Sequence, residues 1–304
     1  MLLARVLARF IRFYHNSLQD YNVYISKSHD IYTNLALEDY IYSNTNNRIL
    51  LIYINKPCVV IGRFQNPWNE LNIQKLLGDD INICRRKSGG GTVYHDKGNV
   101  NFSFFTYKHE YNRKVNLSLI QVPLNDALNI NIQINNKDDL IYLNKKISGS
   151  AAKIGSKLCY HHCTLLVNSD LNLINDYLTS QLFPFHIECK ATKSVRSKVE
   201  NLININPTVD QDTIIKYIAK SYLSFYKNTE NNIFEIEPNE KNFPGIYKAI
   251  QEFKSWEWLY GKTPKFSLSL IFDNDIIPLL NRFNMSIQLP ILLALILPHI
   301  ILCT

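Results

Sequence analysis

The sequence predicts a mixed α/β fold in which mixed sheets pack against helices. Three observations lead there: β-rich runs arrive in hairpin-like pairs, helical spacings fall between them, and neither a regular βαβ alternation nor an internal repeat is present. At 304 residues, 46% hydrophobic and 19% charged, the chain can bury a substantial core.

In "DIYTNLALEDYIYSN", Leu35, Leu37, Tyr40 and Ile41 recur at helical spacing, with Thr33 or Asn34 as N-cap. "RILLIYINKPCVVIGR" places two β-rich stretches around "NKP" and reads as strand, turn, strand. "NINICRR" and "NVNFSFFTY" are strands flanking a glycine run. A helix is expected at "LIQVPLNDALNI", with Pro123 at its start because proline removes a backbone donor. In "DQDTIIKYIAKSYLSFY", Ile214, Ile215, Ile218, Tyr222, Leu223 and Phe225 follow acidic start signals and give the clearest helix of the chain.

The two ends differ from this body. Residues 1–19 carry Arg5, Arg9 and Arg12, no acid, and apolar positions over the rest of a helix, the pattern of a mitochondrial transit peptide. Without that segment's three arginines the formal charge falls from +7 to +4. A mildly basic body suits an anionic ligand or an acidic protein partner and does not argue for nucleic acid. Leu289–Leu302 is almost wholly apolar but holds Pro290, Pro298 and His299 and is shorter than the ~20 residues of a membrane span, so a membrane partner is not expected.

Six scattered cysteines without a Cys-x-x-Cys pair fit a reducing compartment. "CYHHC", residues 159–163, offers thiolate and imidazole ligands. It runs into the strand-like "TLLV", however, and alternation sends His162 to the face opposite Cys159, His161 and Cys163. No metal site is expected.

Three of the ten glycines fall in one run, "RRKSGGGTVYHD". The run matches neither the P-loop nor the dinucleotide fingerprint. Bare backbone at Gly89, Gly90 and Gly91 beside Arg85 or Arg86 suits a phosphate or carboxylate, and equally a glycine-rich hairpin beside surface arginines. "KKISGSAAKIGSKLCYHHCTLLV", residues 145–167, repeats the arrangement, with lysines before a small-residue loop that leads into a strand. The two loops read as two walls of one anion-binding cleft.

The segments "GRFQNPWNE", "RRKSGGGTVYHDKGNVNFSF", "KISGSAAKIGSKLCYHHCTLL", "SVRSKVENL" and "WEWLYGKTPKFS" run in order from Gly62 to Ser267. On these motifs the chain resembles the lipoate-protein ligase family, and within it the mitochondrial lipoyltransferases. The resemblance implies a biotin/lipoate-protein ligase-like catalytic domain, placed at residues 20–245, in which sheets and helices enclose a tunnel for the lipoyl chain. It implies transfer of a lipoyl group onto a lysine of the lipoyl domains of 2-oxoacid dehydrogenase E2 subunits or of glycine-cleavage H protein, by a monomer in the mitochondrial matrix. The donor is lipoyl-AMP or a lipoylated carrier; the alternatives are an ATP- and Mg-dependent ligase acting on free lipoate, or a lipoyl-binding relic without catalysis.

Carried over by motif, Arg86 takes the place of the family's ligand-binding arginine. Ser88, Gly89 and Gly90 shape the loop, and Gly91, Thr92, Val93 and Tyr94 match the strand that binds nucleotide and acyl group. Lys146 matches the lysine that contacts acyl carbonyl and phosphate in lipoyl-AMP, with Lys153 as its rival. His95 and Asp96 are expected to share an orienting hydrogen bond, with Asn99, His161 and His162 in supporting places. After "TPKFS" the chain departs from the family's accessory domain, so residues 246–304 read as a truncated or atypical remnant, which favours transfer over activation of free lipoate.

Overall fold

The computed structural model describes residues 21–181, 185–227, 232–272 and 275–280. The expected leader at 1–19 and the apolar stretch 289–302 lie outside the described residues.

A six-stranded mixed sheet forms the centre, in the order β10 (Ser150–Ile154), β11 (Leu158–Leu166), β6 (Asn99–Tyr107), β2 (Arg48–Ile54), β1 (Tyr21–Ser26), β13 (Ile233–Ile236). β1 runs parallel to β2 and β13, and the other neighbours are antiparallel. Alternation sorts its two faces. Leu50 and Ile52 of β2, Val100, Phe102 and Phe104 of β6 and Cys163 and Leu165 of β11 pack in one core cluster. That cluster is closed by α4 (Arg113–Leu128) and α7 (Gln211–Phe225), whose Ile214, Ile218 and Leu223 are buried. The opposite face carries Ile49, Leu51 and Tyr53 of β2, Phe105 of β6 and Tyr160 of β11. It is covered by α1 (Ile31–Asn44) and α8 (Ile246–Lys254), and by Trp258 of α9 (Trp256–Leu259). Ile246, Ile250, Phe253 and Trp258 thus share one core with Leu35 and Leu37, and packing is continuous across position 245.

Three smaller sheets surround this layer. β4 (Asn82–Arg85), β3 (Cys58–Ile61) and β5 (Val93–His95) form one, with β3 parallel to β4 and antiparallel to β5. Its Val59, Ile61, Ile83 and Tyr94 meet Leu71, Leu76 and Tyr177 from the short helices α2 (Pro67–Glu70), α3 (Ile73–Gly78) and α5 (Leu171–Tyr177) and their junctions. β7 (Gln133–Ile134), β8 (Leu140–Tyr142) and β9 (Lys145–Lys146) form the next. The last is β12 (Phe185–Cys189), β14 (Phe266–Phe272) and β15 (Asp275–Leu280); the remaining helix, α6, is Leu202–Ile205.

Three local expectations change. Asp30 caps α1, its carboxylate accepting the Thr33 N–H at 2.8 Å, while Asn34 is fully buried inside the fold. α4 begins after Asn112, ten residues before Val122, and Pro123 sits inside it. Burial of Leu117, Ile120 and Leu124 holds the helix through the lost donor. The strands either side of "NKP" do not pair with each other: β2 enters the central sheet and β3 the small one. This divergence opens the wedge in which the site lies.

Candidate active site

On the α1 side of the sheet, Thr164 stands opposite Asn101, and Asn101 opposite Tyr53. One strand spacing per step makes this row about 10 Å long. It floors a cavity of about 320 Å³, also walled by residues of the glycine loop, the lysine loop and the segment Thr192–Val195. Its lining differs in exposure: Lys193 and Val195 are exposed, whereas Leu35, Tyr53, Val60 and His95 are almost fully buried.

Neighbouring residues on a strand point to opposite sides, and the two arginines separate accordingly. Arg85 is wholly buried and donates to the carbonyls of Leu259, Arg63 and Gln65 and to Thr263 Oγ1, at 2.8–2.9 Å. It ties α9 to the loop after β3. Arg86 faces the cavity. Its guanidinium donates to Ser88 Oγ at 3.0 Å, Val60 O at 3.1 Å, Gly89 O at 2.6 Å and Gly91 O at 2.7 Å. Burial, partly countered by Tyr160, Glu38 and Tyr53, lowers its pKa to about 10, so it stays cationic at neutral pH. Gly90 holds φ +87°, and a Cβ on Gly62 would meet Gly90 O at 2.1 Å. Side chains at these two positions would break the turn or push it off β3.

Arg86 continues into a buried polar chain. Ser88 Oγ lies 2.8 Å from His162 Nε2, and His162 Nδ1 lies 3.0 Å from Glu38 Oε1, which also accepts from the Ser103 hydroxyl. Burial pushes the Glu38 carboxyl up, but His162 and the hydrogen bonds from His162, Ser103 and Tyr160 outweigh it and hold the group below its ordinary value. The charge is therefore retained inside the fold by partners.

The lysine loop is held differently. Lys146 lines the cavity with its Nζ 2.8 Å from Asp139 Oδ1 and its side chain 25% exposed. Its backbone bonds Lys198 O and the Glu200 N–H, so β9 carries the strap 192–200 alongside it. Ser194 anchors that strap: its hydroxyl bonds Glu70, accepts from Gln65 Nε2 at 3.0 Å and from the Thr92 N–H at 2.9 Å. Gly149 and Thr164 exchange two bonds and fix the loop's far end on β11.

The structure brings Arg86, Gly90, Gly91, Thr92, Val93, His95, Lys146 and His162 to one cavity, with Ser88 directly behind Arg86 and His162. Other named residues lie elsewhere. Tyr94 points to the outer face of β5 and packs against Tyr177, ring centroids 5.6 Å apart and planes tilted by 45°, because strand alternation turns it away from Val93 and His95. Asp96 does not pair with His95: its carboxylate accepts the N–H groups of Gly98 and Asp170 at 2.9 and 2.8 Å and fixes a turn. Asn99 donates to Asn101 Oδ1 at 3.2 Å, two residues along β6 from the row. His161 lies on the α4 face beside Phe104 and Asn116, and burial lowers its pKa to about 3. Lys153 sits over the Tyr42 ring at 3.9 Å and 3.4 Å from Asp39, outside the cavity. Among the described residues no cluster of three or more His, Cys, Asp and Glu could hold a metal ion.

Sequence reasoning missed Glu38, Gln65, Glu70, Asp139, Asn101 and Ser194. The detectable signal was in "NVNFSFF", where Asn101 and Ser103 alternate with Phe102 and Phe104 in a strand buried on both sides. Polar side chains on one face of such a strand mark a lined cavity.

Residues 30–223 match the family model described as the lipoyl protein ligase A/B catalytic domain. The chain is 42% identical over 254 residues to human lipoyl amidotransferase LIPT1, mitochondrial, covering 81% of this chain and 67% of that protein. To the mouse protein of the same name it is 41% identical over the same shares. Among solved structures, P. falciparum LipL1 in complex with lipoate superposes with a TM-score of 0.71 at 26% identity, over 85% of this chain and 84% of that one.

Proposed function

The chain belongs to the lipoyl protein ligase A/B catalytic-domain family, and from that premise we propose that its cavity seats a lipoyl adenylate whose acyl group passes to an acceptor lysine. The protein is an amide-forming lipoyl transferase of protein lipoylation. One observation carries the detailed reading: a cavity of about 320 Å³ is lined both by buried apolar residues such as Leu35 and Val60 and by a partly exposed lysine, beside a glycine loop locked around a buried arginine.

The acyl chain lies along the row Thr164, Asn101, Tyr53, with its carbonyl at the Lys146 end. The acceptor ε-amine attacks the acyl carbon, the C–N bond forms, the bond to the phosphate oxygen breaks, AMP departs and the amine gives up a proton. Negative charge grows on the carbonyl oxygen and on the departing phosphate. The Lys146 ammonium, released from Asp139, stabilises both. Arg86 acts by shaping the loop, since most of its donors are committed to Ser88, Val60, Gly89 and Gly91. Asp139 stores Lys146 in place when no anion is present.

The acceptors are lipoyl domains of 2-oxoacid dehydrogenase E2 subunits and glycine-cleavage H protein, and the site of action is the mitochondrial matrix. Lys190, just after β12, and Lys193, Arg196 and Lys198 of the strap support an acidic acceptor: all four are exposed and have no acidic partner among the described residues. The catalytic unit extends past residue 245, because α8 and α9 complete its core.

The full chain, incubated with lipoyl-AMP and apo-H protein, should add one lipoyl group to the acceptor by mass spectrometry. A parallel reaction with free lipoate, ATP and Mg2+ tests whether it also activates the acid. Binding of lipoyl-AMP without any mass gain would identify a relic and contradict the proposal.

A further inference from the structure

One apolar side chain has little to pack against and sits on a backbone that disfavours it. β8 and β9 are joined by a two-residue turn, since Tyr142 pairs with Lys145. Its residues Leu143 and Asn144 hold φ +45° and +64°. A turn of this kind requires φ > 0 at both central positions and favours Asn or Gly there. Asn144 fits. Leu143 does not, because its Cβ crowds the carbonyl that follows it. It is also 78% exposed, so burial does not offset the strain. A single exposed leucine is ordinary, but strain without compensation inside the fold points to a role outside it.

The turn lies close to the cavity. Leu143 stands three residues before Lys146, about 10 Å along the chain, and Lys146 lines the cavity. Lys146 is bridged in parallel to Val199, so the hairpin and the strap run back from that bridge in the same direction. On the hairpin this leads to Leu143, on the strap to Val195. Val195 lines the cavity too and is 77% exposed. These are the two highest exposures among the large apolar side chains described. On the strap Val195 is accompanied by the exposed cations Lys193, Arg196 and Lys198, while the strap's one acid, Glu200, is taken by Lys145. Apolar side chains set among charges of one sign make a docking surface for a partner of the opposite sign.

Resting on the reading of Lys146 as the transfer site, we propose that Leu143, with Val195, anchors an acidic acceptor domain. The two side chains meet apolar ground on the acceptor, and Lys193, Arg196 and Lys198 meet its carboxylates. The acceptor's lysine has to reach Lys146 while the rest of its domain stays outside the cavity. A contact about 10 Å from Lys146 holds that domain in place without filling the entrance. The two-residue turn presents the leucine on a backbone that has little left to order on binding, which lowers the cost of association.

The test is calorimetric titration of the full chain with apo-H protein, in wild type, Leu143→Asn and Leu143→Met, with lipoyl-AMP titrated separately and thermal melts recorded. Asparagine tolerates φ > 0 and removes the apolar group; methionine keeps an apolar side chain of similar volume on the same strained backbone. Leu143→Asn should weaken acceptor binding about tenfold. It should also raise the melting temperature by about 2 °C, because the strain is relieved, and leave the affinity for lipoyl-AMP unchanged. Leu143→Met should bind the acceptor within about threefold of wild type. A leucine that only closes the turn would give the higher melting temperature with unchanged acceptor affinity, and that result overturns the proposal. So would a wild type that does not bind apo-H protein, a lower melting temperature in Leu143→Asn, an equal weakening of lipoyl-AMP binding, or a Leu143-dependent self-association that assigns the surface to a second copy. Failure of lipoyl transfer appears separately: apo-H protein bound with this Leu143 dependence but never lipoylated supports the docking surface and contradicts the transfer reading.

Discussion

Arg86 and Lys146 line the same cavity, yet the protein holds them in opposite ways. Arg86 is buried, with bonds to Ser88, Val60, Gly89 and Gly91, and its loop is further pinned where Gly90 meets Gly62. Lys146 is partly exposed and, among the described residues, keeps one ion pair, to Asp139. A buried cation whose bonds all go to the protein is architecture. A cation with one exchangeable partner at an open mouth is available to a ligand. The same separation applies to Lys153, whose ammonium is committed to Asp39 and the Tyr42 ring.

The sharpest way to break this comparison is to remove the architectural cation. Arg86→Ala strands one buried carbonyl, of Val60, and two half-buried ones, of Gly89 and Gly91, and should destabilise the fold by roughly 4 kcal/mol. The melting temperature should drop by about 10 °C. A melting curve that matches wild type would show that Arg86 is held by the ligand and not by the loop.

A smaller effect comes from pH. His95 and His161 have folded pKa values of about 3, both lowered mainly by burial. An unfolded histidine titrates near 6.5, so below that pH the unfolded chain takes up protons that the fold refuses. Stability is complete above about pH 6.5 and falls by up to about 1.4 kcal/mol per unit for each ring on the way toward 3. Urea midpoints should decline between roughly pH 6.5 and 5. Glu38, with its lowered pKa, contributes stability that is lost only below the ordinary carboxylate range, so it does not enter this window. A flat midpoint would mean that these rings are solvated.

Much of the architecture was legible because it depends on local patterns. α7 was written in Ile214, Ile215, Ile218, Tyr222 and Leu223, and β6 in its alternation. The glycine and lysine loops announced themselves by composition. Their partners did not, because burial of a charge is decided by groups far away in sequence. Glu38 looks like any polar helix position; it is buried because His162 and Ser103, 124 and 65 residues away, satisfy it. Asp39 beside it is instead taken by Lys87 at 2.8 Å. The divergence of β2 and β3 and the interior place of Pro123 are likewise tertiary decisions that overrode sound local rules.

Single-turnover transfer from lipoyl-AMP to apo-H protein, run on wild type, Lys146→Ala and Lys153→Ala, tests the division between held and available cations most directly. Lys146→Ala should slow the chemical step by about 10²- to 10³-fold with an unchanged melting temperature. Lys153→Ala should stay within about threefold of wild type, as expected of a partly exposed ion pair. Transfer that survives loss of Lys146, or that is abolished by loss of Lys153 instead, would contradict the account.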